Sequence, residues 1–347
     1  MPTISIRGNE MPASPIRKLA PLADAAKQRG VHVFHLNIGQ PDLPTPQAAI
    51  DAIRNIDRKV LEYSPSAGNR SYREKLVGYY AKFNINLTAD DIIITSGGSE
   101  AVLFSFLSCL NPGDEIIVPE PAYANYMAFA ISAGAKIRTI ATTIEEGFSL
   151  PKVEKFEELI NERTKAILIC NPNNPTSSAI STADMKKLLT VCRSLGIFVM
   201  IDETYIEFAP EGTSLSAVSL VPEFDNFMVI RGVSKFFAAP GLRFGYGLTS
   251  NQAFLQTLLT HQNPWSLNSI GAYAGERMLK DIDYIQKTWS LIDSERTRMC
   301  TELSGLDTVK IYPAYANFVL VKILKEGLTS FDVFEKAIHQ NLMIRDC

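Results

Sequence analysis

Ile197-Phe198-Val199-Met200-Ile201-Asp202-Glu203-Thr204-Tyr205 is the stretch that decides the fold. Its first five residues are apolar without interruption, the pattern of a strand buried on both faces of a parallel sheet. An acidic and aromatic group follows at the strand's carboxyl end, and in open α/β sheets that end is where ligands bind. Asp202 can pair there with a protonated ring nitrogen and Tyr205 can reach a ring hydroxyl. A helix cap for Asp202 and core packing for Tyr205 explain the same residues.

Outward from this strand, Ala166-Ile167-Leu168-Ile169-Cys170 is a second apolar run, ending in Asn171-Pro172-Asn173-Asn174-Pro175-Thr176. Two X-Pro steps so close make a rigid, non-helical turn. Such a turn holds the Asn174 amide where it can donate to a ring oxygen, or it is a turn and nothing more. Further upstream, the strand-like Asp91-Ile92-Ile93-Ile94 leads through Thr95-Ser96-Gly97-Gly98-Ser99-Glu100 into an apolar helix expected over 101–110. Glycines let backbone N–H groups approach an anion, and the helix N-terminus adds its dipole, so a phosphate fits there. Ser99 can equally act as a helix N-cap.

Downstream, the run from Ser234 to Tyr246 carries Lys235 and Arg243 with small residues and glycine between them. A lysine amine condenses with an aldehyde to a Schiff base, and the planar fork of an arginine holds a phosphate through paired charge-assisted hydrogen bonds. Pyridoxal phosphate presents both groups.

Taken together in this chain order, the four sites resemble those of the class I/II aminotransferases, fold type I pyridoxal-phosphate enzymes, and the resemblance runs from about Asn37 onward. Leu36 to Pro46 (LNIGQPDLPTP) is similar to the family's amino-terminal motif, and Glu62-Tyr63 followed by Gly68-Asn69-Arg70 to its tyrosine-containing segment. The resemblance implies that Lys235 is the Schiff-base lysine and that Asp202 is the partner of the ring nitrogen. Tyr205 and Asn174 would hold the ring oxygen, and Tyr123 would stack on the ring. It assigns the phosphate to Gly98, Ser99, Ser234 and Arg243, joined by Tyr63 from the second subunit of a homodimer, and it sets Gly39 against the substrate carboxylate. Without the resemblance, Tyr123 and Tyr63 read as ordinary half-buried aromatics.

Two departures from the family pattern stand out. Gly232 occupies the place, three residues before the lysine, where relatives commonly have a Ser or Thr on the phosphate. The run Leu342-Met343-Ile344-Arg345-Asp346-Cys347 also stops short of the region where relatives supply the arginine that clamps the substrate α-carboxylate. Arg345 is expected to be a surface arginine, residues 342–344 a strand lacking a neighbour, and binding of amino-acid substrates correspondingly weak.

At 347 residues the chain can bury a sizeable core. The alternation of strand-like and helix-like segments predicts an α/β fold: a large domain over 45–268 with a mostly parallel sheet covered by helices, and a smaller α+β domain from 1–44 and 269–347. One long helix is expected over 269–303, followed by strands over 309–312 and 317–321. A net charge of −3 gives no reason to expect nucleic-acid or membrane partners. Five cysteines and four histidines lack metal-like spacing, so no metal is expected. Unpaired thiols and an amino terminus without an apolar signal region point to the cytoplasm.

The expected activity is transfer of an amino group between an amino acid and a 2-oxo acid, with freed Lys235 moving the proton at the α-carbon. The same groups serve decarboxylation, because the bond cleaved depends on substrate orientation. Asn263 to Asn268 and Ile344 to Cys347 resemble histidinol-phosphate aminotransferases and threonine-phosphate decarboxylases, so that alternative stays open, as does a cofactor-binding protein with little turnover.

Overall fold

The computed structural model describes residues 3–12, 20–210 and 215–346. Met1, Pro2 and Cys347, which enter the readings above, lie outside these. The described strands are β1 (Phe34–His35), β2 (Ile92–Thr95), β3 (Glu115–Glu120), β4 (Lys136–Ala141), β5 (Thr164–Cys170), β6 (Phe198–Asp202), β7 (Phe227–Gly232), β8 (Gly245–Leu248), β9 (Val309–Ile311), β10 (Val321–Ile323) and β11 (Leu342–Met343).

Seven of them form one sheet in the order β2-β8-β7-β6-β5-β3-β4. β8 runs antiparallel to both neighbours and every other pair is parallel. The uninterrupted apolar runs have the expected cause, since helices cover both faces. Along β6 the faces alternate: Val199 and Ile201 enter one core with Tyr80 and Phe208, while Met200 enters the other with Phe106 and Tyr126. Asp202 therefore continues the Met200 face, and Glu203 turns to the opposite one.

Pairing register aligns the strand ends that matter. Cys170 pairs with Asp202, Asp202 with Ile230, Gly232 with Gly245, and Gly245 with Thr95. A Cβ on Gly245 would run into the backbone of Gly97 and Gly98, so only glycine lets the loop after β2 lie on β8. The loops after β2, β6 and β7 thus open at one edge of the sheet.

Several local expectations are corrected. The single helix expected over 269–303 is two, Ser269–Met278 and Ile282–Ser304. Asp281 restarts the chain by accepting from Tyr284 N at 3.0 Å, a local competitor that the apolar periodicity does not reveal. The strand expected over 317–321 begins only at Val321. Upstream of it, Ser177 Oγ accepts from the amides of Tyr315 and Ala316 at 3.0 and 2.9 Å, which removes them from any ladder. β10 then pairs antiparallel with β9. Finally, residues 342–343 do not lack a neighbour, because β11 pairs in parallel with β1, Phe34 opposite Leu342 and His35 opposite Met343.

Candidate active site

Lys235 sits three residues past β7, half-buried, with its Nζ 5.6 Å from the centre of the Tyr205 ring. Burial pushes its amine below the usual lysine range. Asp202 opposes that shift and the Arg243 charge adds to it. A lysine held toward its neutral form is both a nucleophile and a base. Gly39 closes the same space. A Cβ there would collide with Tyr205 Oη and lie 3.3 Å from Lys235 Nζ, so backbone at 39 approaches both groups as no other residue could.

Asp202 is buried, with both carboxylate oxygens engaged. Oδ1 accepts from Thr204 N at 3.0 Å and from Thr204 Oγ1 at 2.6 Å, and Oδ2 accepts from Tyr126 Oη at 2.8 Å. Asp202 caps no helix, because it ends β6 and the short 3-10 turn Ile206–Phe208 follows Tyr205. Tyr205 is nearly fully buried, edge-on to Phe318 at 5.3 Å between ring centres, and burial raises its phenol. Its core packing and its place against Gly39 and Lys235 are compatible, since ring and hydroxyl serve different neighbours.

Tyr123 is half-buried, accepts from Asn125 Nδ2 at 2.7 Å and meets Tyr126 edge-on at 5.4 Å. Its phenol is raised by burial and by the charge of Asp202. Asn174 lies in the turn after β5, where its Oδ1 accepts from Arg345 Nη1 at 3.0 Å. The reading of Arg345 as a surface arginine is corrected here: its guanidinium turns inward to the site, because β11 pairs with β1 and aims the following residues there.

At the other end of the site the chain forms a cradle. Gly97 has φ +85, and a Cβ on it would sit 2.7 Å from Arg243 Nη2. The point where a Gly232 Cβ would lie is 3.7 Å from Gly98 N and 3.8 Å from Ser234 Oγ. The Gly98 amide and the Ser234 hydroxyl thus flank one point at the start of the helix Gly98–Cys109, and the exposed Arg243 guanidinium, which also donates to Pro240 O at 3.0 Å, lies against Gly97 beside it, donor types suited to a phosphate. Ser99 is the second residue of that helix and not its N-cap. Gly97 holds the cap position, since its left-handed backbone turns the chain. Tyr63 stays outside this cluster, 79 % exposed and tilted against Trp265 at 5.0 Å between ring centres.

Tyr126, Thr204 and Arg345 are site residues that sequence reasoning missed. Tyr126 lies three residues after Tyr123, which precedes the helix Asn125–Ala133, and this closeness in sequence is the signal that could have found it. Arg345 had none, because its approach depends on a pairing between the two ends of the chain.

A sheet opening its loops at one edge, with amine, carboxylate and phosphate cradle, defines a pyridoxal-phosphate enzyme of the α/β type. The chain belongs to the aminotransferase class I and II family, whose match covers residues 31–346. It is 29 % identical over 311 residues to a histidinol-phosphate aminotransferase of Methanopyrus kandleri, across 88 % of this chain and 77 % of that one. A putative threonine-phosphate decarboxylase of Caldanaerobacter subterraneus is 30 % identical over 305 residues, across 88 % and 79 %. Among solved structures, an aspartate aminotransferase tetra mutant of Thermus thermophilus complexed with tryptophan superposes with a TM-score of 0.89 at 25 % identity, covering 99 % of this chain and 91 % of that one. The protein is accordingly a pyridoxal-phosphate-dependent aminotransferase of this class.

Proposed function

We propose that Lys235 is the residue that carries the cofactor and then moves the proton at the substrate α-carbon. The observation carrying this is the convergence of Lys235 Nζ, Tyr205 Oη and the Gly39 backbone on one space. When bound, pyridoxal phosphate supplies an electron sink for the carbanion at that carbon. Asp202 would hold its ring nitrogen, Tyr205 and Asn174 its ring oxygen, and Tyr123 the ring face. Gly98, Ser99, Ser234 and Arg243 would hold its phosphate. With its oxygen engaged by Arg345, the Asn174 amide has its Nδ2 end left to donate.

Gly39 and Arg345 would meet the substrate. An arginine fork suits a carboxylate or phosphate, so the substrate in this reading is an anionic amino acid or amino phosphate and its 2-oxo partner. Decarboxylation of such a substrate is the second reading, favoured by the relatedness to a threonine-phosphate decarboxylase. Mixing the purified protein with candidate amino acids and 2-oxoglutarate tests both. Conversion of the cofactor to its pyridoxamine form supports transamination, release of carbon dioxide supports decarboxylation, and unchanged rates in Lys235→Ala would exclude Lys235.

The active unit in this reading is a homodimer in the cytoplasm. Exposed Val60, Leu61, Tyr63 and Trp265 form an apolar surface suited to a second copy, with Tyr63 reaching the partner's phosphate cradle. No helix among the described residues is long and apolar enough to cross a membrane, and Cys109, Cys170, Cys192 and Cys300 are unpaired. Full activity in a monomer by light scattering, or Tyr63→Phe with unchanged cofactor affinity, would rule the shared site out. The division into 45–268 and the remainder has support in the β1–β11 and β9–β10 pairs, which stand apart from the seven-stranded sheet.

A further inference from the structure

The stretch from Leu36 to Pro46 forms neither helix nor strand, yet it carries the Gly39 backbone past Lys235. Among the described residues, its hydrogen bonds to distant parts of the chain lie at its two ends. Leu36 N donates to Met343 O at 2.8 Å, and the half-buried Thr45 donates through Oγ1 to Ala238 O at 2.5 Å. Ala238 closes the turn that Lys235 opens, since its N donates to Lys235 O at 3.0 Å. It is buried with φ +46, a left-handed conformation that L side chains adopt only at a cost. We infer that Thr45 is a positioning residue for Lys235, its hydroxyl holding the turn that aims the amine at the space beside Gly39. The inference rests on the assignment of Lys235 to the cofactor.

A buried carbonyl left without a partner costs free energy, and among the described residues Thr45 is the donor to Ala238 O. Removing that donor leaves Ala238 with an unsatisfied carbonyl in an unfavourable backbone conformation, so the turn relaxes. The middle of the turn is fixed by other means. Phe236 and Phe237 are buried in the core, and Tyr284 Oη donates to Phe236 O at 3.2 Å. The closing residue depends on Thr45. The same hydroxyl also ties down the stretch that bears Gly39, where the point of the absent Cβ lies 3.3 Å from Lys235 Nζ. One hydrogen bond therefore fixes both the turn that carries the amine and the backbone that confines it, and proton transfer at a fixed atom is sensitive to such placement.

The test uses the full-length protein with Thr45→Val, which keeps the side-chain shape and loses the donor. The kcat is expected to fall roughly tenfold to a hundredfold, the range for a displaced reacting group, with KM little changed. A second readout needs no turnover: the pH dependence of pyridoxal phosphate capture by the apoprotein. Burial holds the Lys235 amine below the usual lysine range, so a loosened turn hydrates it and moves the midpoint up toward that of free lysine. Asp202 and Arg243, the charges acting on the amine, and Tyr205 across from it are unaltered by the substitution. Thr45→Ser, which retains the hydroxyl, should restore both values. Should Thr45→Val fold poorly, Thr45→Ala removes the same donor without setting a methyl against the carbonyl, and the same two changes are expected. An unmoved midpoint or an unchanged kcat overturns the inference, as does a Thr45→Ser protein as impaired as Thr45→Val. Borohydride reduction followed by peptide mass spectrometry identifies the lysine that holds the cofactor. If that lysine is Lys235 and loss of the Thr45 hydroxyl changes nothing, only the inference about Thr45 fails; if it is another lysine, the assignment of Lys235 fails with it.

Discussion

Arg345 donates through Nη1 to Asn174 Oδ1 at 3.0 Å, joining the segment after the last described strand to the turn that ends β5. The contact depends on the β1–β11 pair, in which Leu36 N also donates to Met343 O at 2.8 Å. Two chain segments running side by side thus deliver Gly39 and Arg345 to one site. If Arg345 holds the substrate's anionic group, Arg345→Gln raises KM for an anionic substrate by about tenfold to a hundredfold, the worth of a charge-assisted hydrogen bond. The kcat should change far less, because binding of this kind is shared by ground and transition states. Steady-state kinetics with unaltered KM would remove Arg345 from the substrate.

The lowered amine of Lys235 gives a pH dependence of definite sign. Burial disfavours its charged form, so the neutral amine appears at lower pH than in a free lysine, and capture of pyridoxal phosphate by apoprotein should rise with pH through a midpoint below the usual 10.5. Asp202 favours the charged form and Arg243 disfavours it. Asp202→Asn is therefore expected to move the midpoint down and Arg243→Gln to move it up. Stopped-flow absorbance across the pH range reads both, and a midpoint at the free-lysine value in all three proteins contradicts the electrostatic account.

Gly232 leaves room beside the Gly98 amide and the Ser234 hydroxyl. A Cβ there would stand 3.5 Å from Phe244 O and 3.7 Å from Gly98 N, ordinary contact distances, so glycine is not required by crowding. Gly232→Thr adds a hydroxyl to the phosphate cradle and is expected to tighten cofactor binding by about tenfold or more. Fluorescence titration of apoprotein checks this, and weaker binding would mean that the cradle cannot take another donor.

On the opposite sheet face, Arg231 is buried between Glu203 and Glu207, at 2.8 and 2.7 Å, and also donates to Ser216 Oγ at 2.7 Å. Glu203 in turn accepts from Ala217 N at 2.6 Å. Arg231→Met strands two buried carboxylates and should cost about 3–5 kcal/mol in urea unfolding of the apoprotein. Adding Glu203→Leu should return part of that loss, as a paired deletion leaves less uncompensated charge. If the double variant is no better than the single, the pair is not the source of the loss.

The sequence by itself determined the parallel sheet, the three strand-end loops and the cofactor. Each of these is written locally, in apolar runs such as Ile197–Ile201 and in the glycines and prolines that stop them. It also singled out Lys235, Asp202, Tyr205, Asn174, Gly98 and Arg243, because strand ends in such a sheet share one edge and a residue's place in the run fixes its place at that edge. Other features belong to tertiary structure alone. Asp281 splitting the long helix, Ser177 taking the amides of Tyr315 and Ala316, and Tyr126 reaching Asp202 are all choices between hydrogen-bond partners, and propensity does not rank such partners. Arg345 shows the limit most plainly. Its side chain reads as an ordinary surface cation until β11 finds β1 at the far end of the chain, and a pairing closed over so long a loop leaves no periodic trace in either segment.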